Sequence, residues 1–293
     1  MKGTGPQMPW TTTNKVVDLR EKSAAVDVFV GTLDGWRRHL SGRNASVLSL
    51  FGFLTIFPLL LVATTILGFV LEDNEELQQR IIDGALENVP VLGEQLADDP
   101  AALTGSVGAL AIGLLTALWS STKAFVGLQL ALDDVWEIHV DNRAGLAIQR
   151  GRALIGILII GAAQLGSVAI VTLANRAAVD AASRVLLLGL SGAVNILIIA
   201  AMFRFLTSAQ PTWREVIPGA VAAGVISTIL QQFGTAIVRK ITEDATETYG
   251  NFALVLGLIT WIGLVAITVL MAAEMNAALI WRRDGSLAKV QNS

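Results

Sequence analysis

The sequence predicts an all-α, polytopic membrane protein: six transmembrane helices preceded by an amphipathic helix. Three observations predict it. The stretch Ala45–Leu71 runs 27 residues without a charge, more than the roughly 20 that cross a bilayer core of about 30 Å. Over the 293-residue chain 53% of residues are hydrophobic and 15% charged, with a mean hydropathy of +0.62, against about 25% charged in an ordinary soluble domain. Basic residues also segregate to alternate connections between the apolar runs.

Composition excludes several functions. The net charge of −3 gives no overall basic field for nucleic acid. With no cysteine, disulfides, thiolate catalysis and Cys-ligated metals are ruled out. The two histidines, His39 and His139, fall in charged stretches outside the apolar runs. The first 40 residues hold no apolar core of a cleavable signal, so the first span is expected to direct insertion.

The elements follow in order. Residues 1–40 are expected to form a cytoplasmic tail and an amphipathic helix. Over Asn14–Leu40 the apolar residues Val26, Phe29, Val30, Leu33, Trp36 and Leu40 recur at helical spacing. Two readings fit: a helix in the membrane surface with Arg37, Arg38 and Arg43 toward anionic lipid, or a helix packed under the bundle. The transmembrane domain covers 41–283, with spans at 45–71, 101–122, 153–175, 185–203, 215–238 and 252–273, and 284–293 is a cytoplasmic tail. Ser and Thr in the first span can return their hydroxyls to the helix backbone, and Pro58 kinks a membrane helix without ending it. Between the first two spans, Glu72–Pro100 carries nine acidic residues and one basic one, a solvated face of short amphipathic helices. Phe125–Arg152 reads as a polar connection whose first part prolongs the second helix. With six spans, the side of the N-terminus receives fifteen Lys and Arg and the opposite side five, so both termini are expected in the cytoplasm of a bacterial cell.

Several segments together resemble the YihY/BrkB family of inner-membrane proteins. They are Leu54-Thr-Ile-Phe-Pro58-Leu-Leu in the first span, Leu118-Trp-Ser-Ser-Thr-Lys-Ala-Phe125 followed by Ala131-Leu-Asp-Asp-Val-Trp136, Pro211-Thr-Trp-Arg-Glu-Val-Ile-Pro-Gly-Ala220, Tyr249-Gly250 and Ala272-Ala-Glu-Met-Asn-Ala277. The likeness covers residues 40–283, and its order and spacing are what is specific. Asp133 departs from it, where the family pattern has Asn. The resemblance implies six helices in the inner membrane and no settled activity. Members have carried a ribonuclease label and a serum-resistance label, and some are candidates for envelope lipid transport.

Candidate site residues come from polar groups near or within the spans, where an unpaired polar group costs several kcal/mol. Lys123, Arg204, Glu215, Glu274 and Asn276 fall at similar depth at the cytoplasmic ends of spans. They are expected either to line a vestibule, with Glu274 paired to Lys123 or Arg204, or to act as snorkelling anchors. Trp119, Asn195 and Gln231 lie deeper, as interhelical glue or as a polar path. Asp133, Asp134, Glu137, His139 and Asp141 form the nearest approach to a metal cluster, and a solvated interfacial face is the simpler account of them. No cofactor, metal site or nucleic-acid partner is expected. The expected role is non-enzymatic handling or transport of an envelope lipid or other amphipathic molecule, in contact with membrane lipids. The alternative is a scaffold acting through the N-terminal helix and the acidic loop; a nuclease ranks last.

Overall fold

The computed structural model describes residues 10–11, 13–70, 107–157, 181–227, 229–230 and 252–283. Among them every regular element is helical. The α-helices are α1 (Asn14–Lys22), α2 (Ala24–Arg38), α3 (Ser41–Val70), α4 (Val107–Val135), α5 (146–157), α6 (Ala181–Phe205), α7 (213–227) and α8 (Phe252–Arg283), with a 3-10 turn at Val140–Asn142. The chain forms two compact units, one of 1–46, 125–228 and 265–293, the other of 47–124 and 229–264.

The expected single amphipathic helix over Asn14–Leu40 is two helices. Ser23 adopts extended φ/ψ of −133° and 118°, and its hydroxyl accepts from Val26 N–H at 3.5 Å. A serine there caps a new helix more readily than it continues an old one. The break lets Arg20 of α1 fold back on α2, where its Nε donates to Asp27 at 2.8 Å. The buried face of α2 is Val30, Gly31, Thr32 and Gly35, whereas Phe29 stays 63% exposed. Glycine rather than bulk decides this face. A Cβ on Gly31 would meet the Cβ of Ala278 at 3.4 Å, so α2 lies almost backbone to backbone on α8.

The other helices overlap residues of the expected spans. The first span is helical as far as Val70, and α6 and α8 cover the fourth and sixth. The third is helical to 157 and the fifth to 227; their remainders, the Glu72–Pro100 loop and Gln231 lie outside the described residues. Over the described residues, Ala111–Val135 and Val255–Arg283 are long and apolar enough to cross a membrane, and Gly192–Phe205 is a shorter apolar helix. The second helix is prolonged beyond residue 122, as the first part of Phe125–Arg152 suggested. It runs to Val135, and Leu128, Ala131, Leu132 and Val135 are all buried in the first unit.

Many large apolar side chains are outward: Ile112, Leu115 and Leu186 are each about 70% exposed, and Leu197 and Val225 exceed half. Apolar surface on this scale suits lipid as solvent and would drive association in water. The helix hydroxyls behave accordingly. Thr55 donates to Phe51 O at 2.7 Å, Thr116 to Ile112 O at 2.8 Å, and Thr122 to Leu118 O at 2.6 Å. Within the second unit, Ser49 Oγ donates to Ile259 O at 3.2 Å, and Gly52 of α3 lies against Ile262 of α8.

Candidate functional site

A cavity of about 520 Å³ lies in the first unit between α5 and the C-terminal end of α6, within the range of about 300–1,000 Å³ usual for small-ligand sites. Ile155, Gly156, Ile198, Ala201, Met202, Phe205 and Leu206 make its wall apolar, while Arg152, Arg204 and Gln210 add polar groups. Gly156 matters because a Cβ there would press on the Phe125 ring at 2.9 Å; its absence lets α5 close on α4 behind the cavity. Arg204 is positioned by its neighbours: Nη1 donates to Pro211 O at 2.8 Å, and the guanidinium lies 5.2 Å from the Trp213 ring centre. Arg152 is less satisfied. Its Nη1 is buried and has no hydrogen-bond partner among the described residues. Two guanidiniums on a largely apolar cavity suit a molecule with an anionic group and a hydrocarbon body.

A second polar centre lies where α2 ends, α3 begins and α8 passes. Glu274 of α8 is fully buried. Ser41 Oγ donates to its Oε1 at 2.6 Å, and His39 Nδ1 stands 2.9 and 3.0 Å from its two oxygens. Gly35 of α2 packs directly on the carboxylate, leaving no room for a Cβ. The other ring nitrogen, His39 Nε2, faces two groups: Arg38 Nε at 3.3 Å and Glu137 Oε1 at 3.5 Å. Arg38 also bonds Glu137 at 2.9 Å and lies 4.8 Å from the Trp281 ring centre. Burial disfavours the charged imidazole, yet hydrogen bonds to Glu137 and Glu274 and the Glu274 charge outweigh it, holding the His39 pKa above the ordinary 6.5. The hydrogen bond from His39 holds the Glu137 carboxyl below its usual range, with Arg38 assisting and burial opposing. Glu137 has a left-handed φ of 53° and Leu40 one of 54°, so both segments that meet at His39 turn sharply there. A recess of about 340 Å³, lined by Arg38, His39, Arg43, Asp134, Glu137 and Arg143 among others, gives onto this cluster.

Two further buried polar groups tie elements of the first unit together. Asn276 Oδ1 accepts from Gly219 N–H at 2.7 Å, and its Nδ2 donates to Val216 O at 3.1 Å, joining α7 to α8. Asp133, 2% exposed, accepts from Thr207 Oγ1 at 2.8 Å, Ser208 N at 2.6 Å and Ser208 Oγ at 3.1 Å. The solvated face expected there is therefore wrong for Asp133, which joins α4 to the segment after α6. Its neighbours do not gather round it. Asp134 pairs with Arg143 at 2.7 Å, and His139 pairs with Asp141 at 3.3 Å on the surface. Among the described residues no group of three His, Cys, Asp or Glu could hold a metal ion.

Within the first unit the expected site residues fall into separate groups. Glu274 pairs with His39 and Ser41, where Lys123 or Arg204 was expected. Lys123, in the second unit, lies 5.8 Å from the ring centre of Trp119, which is 61% exposed. Glu215 pairs with Arg283 at 2.8 Å and accepts from Thr212 N–H. Of the described members of the set, only Arg204 lines the cavity beside α5; Asn195 is half-buried on α6. Sequence reasoning missed His39, Ser41, Gly35 and Arg152. The usable signal was Gly31 and Gly35, four residues apart on α2, marking a face built for close approach.

The profile of a family described as Virulence factor BrkB matches residues 32–293. The chain is similar to a UPF0761 membrane protein of Laribacter hongkongensis (strain HLHK9), 24% identical over 271 residues, or 85% of this chain and 62% of that one. It is also similar to a UPF0761 membrane protein of Alkalilimnicola ehrlichii (strain ATCC BAA-1101 / DSM 17681 / MLHE-1), 25% identical over 267 residues, or 87% of this chain and 58% of that one. The chain thus spans about three-fifths of the length of these curated relatives. No solved structure matches it.

Proposed function

Because the chain belongs to the Virulence factor BrkB family of membrane proteins, we propose that it is a non-enzymatic protein of the bacterial inner membrane that binds and moves an anionic amphipathic envelope molecule, an acidic lipid above all. One observation carries this reading: the apolar cavity of about 520 Å³ that bears Arg152 and Arg204. Hydrocarbon would occupy the wall of Ile155, Ile198 and Met202, and the acidic group would meet the guanidiniums, one of which has an unused buried donor. The excess of basic residues on one side supports cytoplasmic termini. Membrane lipids are then both solvent and substrate pool.

The test is lipid retention. Protein purified in mild detergent is expected to carry acidic phospholipid in native mass spectra. Arg152→Gln should weaken retention and Ala201→Phe, which fills the cavity, should abolish it. In proteoliposomes the wild type is expected to move a fluorescent acidic lipid between leaflets, and both variants to slow it. Equal retention by all three proteins would remove the cavity from the account.

A further inference from the structure

The cluster around Glu274 has a chemistry that holding helices together does not require. A buried carboxylate satisfied only for structural reasons needs fixed donors such as backbone N–H or Arg. Here its charge partner is the one side chain that ordinarily gains and loses a proton near neutral pH, and that imidazole reaches a second carboxylate with its other nitrogen. The order is Glu137, about half exposed at the recess, then His39, then Glu274 at 0% exposure. We propose that His39 and Glu274 form a proton-binding site, loaded from the recess by way of Glu137, and that this proton is the coupling ion for movement of the amphipathic substrate.

The proton balance closes on the groups present. In the empty state neutral His39 carries its hydrogen on Nδ1, donates it to Glu274, and accepts at Nε2 from Arg38 Nε. A proton arriving from water through the recess binds Nε2, which then turns from Arg38 to donate to Glu137. The Nδ1 hydrogen stays on the imidazole and keeps its bond to Glu274. His39 is left as an imidazolium between the Glu137 and Glu274 carboxylates. Release runs the same steps backward, and no other reactant is consumed.

The groups facing the pair come from every neighbouring element: Arg38 from α2, Ser41 and Arg43 from the start of α3, Asp134, Glu137 and Arg143 from α4 and the turns after it, and Trp281 on α8. Loading His39 places a cation against the Glu274 and Glu137 carboxylates, so the junction of α2, α3 and α8 tightens when the site is occupied and loosens when it empties. A connection to the cavity exists in α4. Glu137 lies one turn beyond Asp133, and Asp133 holds Thr207 and Ser208, next to Leu206 and Gln210 of the cavity wall.

The existence of the proton site stands by itself; its role as coupling ion rests on the lipid reading above. Two measurements separate them. Hydrogen–deuterium exchange of the full chain in nanodiscs, corrected for intrinsic rates, should show residues 31–41 exchanging more slowly at acid pH in the wild type. That pH response should be absent in Glu274→Gln and in His39→Gln, and retained in the surface control Asp141→Asn. In proteoliposomes containing fluorescent phosphatidylglycerol, a gradient of one pH unit should bias the wild-type leaflet distribution up to about tenfold for one proton per lipid. Glu274→Gln should show no bias. If the wild-type exchange is independent of pH, or the response survives in both variants, the proton site is overturned. If the site titrates and the cavity variants bind lipid normally, the lipid reading fails while the proton site stands. Lipid movement without gradient bias overturns the coupling alone.

Discussion

Two alanines placed one turn apart on α2 should have opposite effects. In a helix interior alanine is favoured over glycine by about 1 kcal/mol, and both Gly31→Ala and Gly35→Ala collect that gain. At Gly31 the new Cβ would stand 3.4 Å from Ala278 Cβ, an ordinary contact. At Gly35 it would occupy the space of the Glu274 carboxylate. The carboxylate must withdraw from Ser41 and His39, and burial leaves no water to replace them. Hydrogen bonds to a charged group contribute about 1.5–3 kcal/mol each. Losing two against the propensity gain leaves Gly35→Ala destabilised by roughly 2–5 kcal/mol. At about 2–4 °C per kcal/mol for a large domain, the midpoint of thermal unfolding in detergent, followed by tryptophan fluorescence, should fall by roughly 4–20 °C. Gly31→Ala should match or slightly exceed the wild type. Equal midpoints for the two variants would refute the packing of Gly35 on Glu274.

Other perturbations test the same contacts. The folded His39 pKa is raised above the ordinary 6.5, so its stabilising contribution is complete below that value and is lost as pH rises through the higher folded pKa. The wild-type midpoint should therefore drop on the alkaline side of about pH 6.5, and a pH series of melts on His39→Gln should be flatter there. Asp133→Ala leaves Thr207 and Ser208 without their acceptor and should cost about 3 kcal/mol, measured by unfolding. Asp133→Asn keeps the Oδ1 acceptor and turns its amide to the Ser208 hydroxyl, so its cost should stay under about 1 kcal/mol. Asn276→Ala strands a buried N–H of Gly219 and the carbonyl of Val216, a loss of about 2–4 kcal/mol by the same measurement.

Helices were more legible in the sequence than partners. A long uncharged run can satisfy its backbone in lipid only as a helix, so Ala45–Leu71 announces itself. Boundaries were harder, because hydropathy reads solvent rather than backbone. The acidic residues after the second span suggested a solvated interfacial face, yet Asp133, on the prolonged helix that ends at Val135, is buried against Thr207 and Ser208. Glu274 stood out as a short acidic side chain between alanine and methionine. Its depth suggested Lys123 or Arg204 as partners, because depth along the bilayer is the coordinate that hydropathy supplies. The order of helices round the bundle is not in a single sequence, and His39, 235 residues away, had been set aside with the charged stretch it lies in.

The buried polar groups of the first unit divide by how fully they are satisfied, and that division separates architecture from binding. Asn276 and Asp133 meet donors and acceptors that cannot titrate or leave: backbone amides, a backbone carbonyl and hydroxyls. Such groups fix register, and their removal should register as lost stability. Glu274 is as fully bonded, but its ionic partner is a group whose charge depends on pH, so the same network has two protonation states of similar geometry. Arg152 is different again. A cation with a buried, unpartnered Nη1 carries a cost that the fold itself does not offset. Of the other orphaned atoms, Asp34 Oδ1 and Gln129 Oε1 belong to side chains bonded through their remaining polar atoms, and Trp136 Nε1 is the one polar atom of an uncharged ring packed on Phe203. Arg152 has no such bond among the described residues and borders an apolar cavity of about 520 Å³. An incoming anion would supply what it lacks. Substituting Arg152 should therefore reduce lipid retention with little loss of stability, the reverse of the pattern for Asn276.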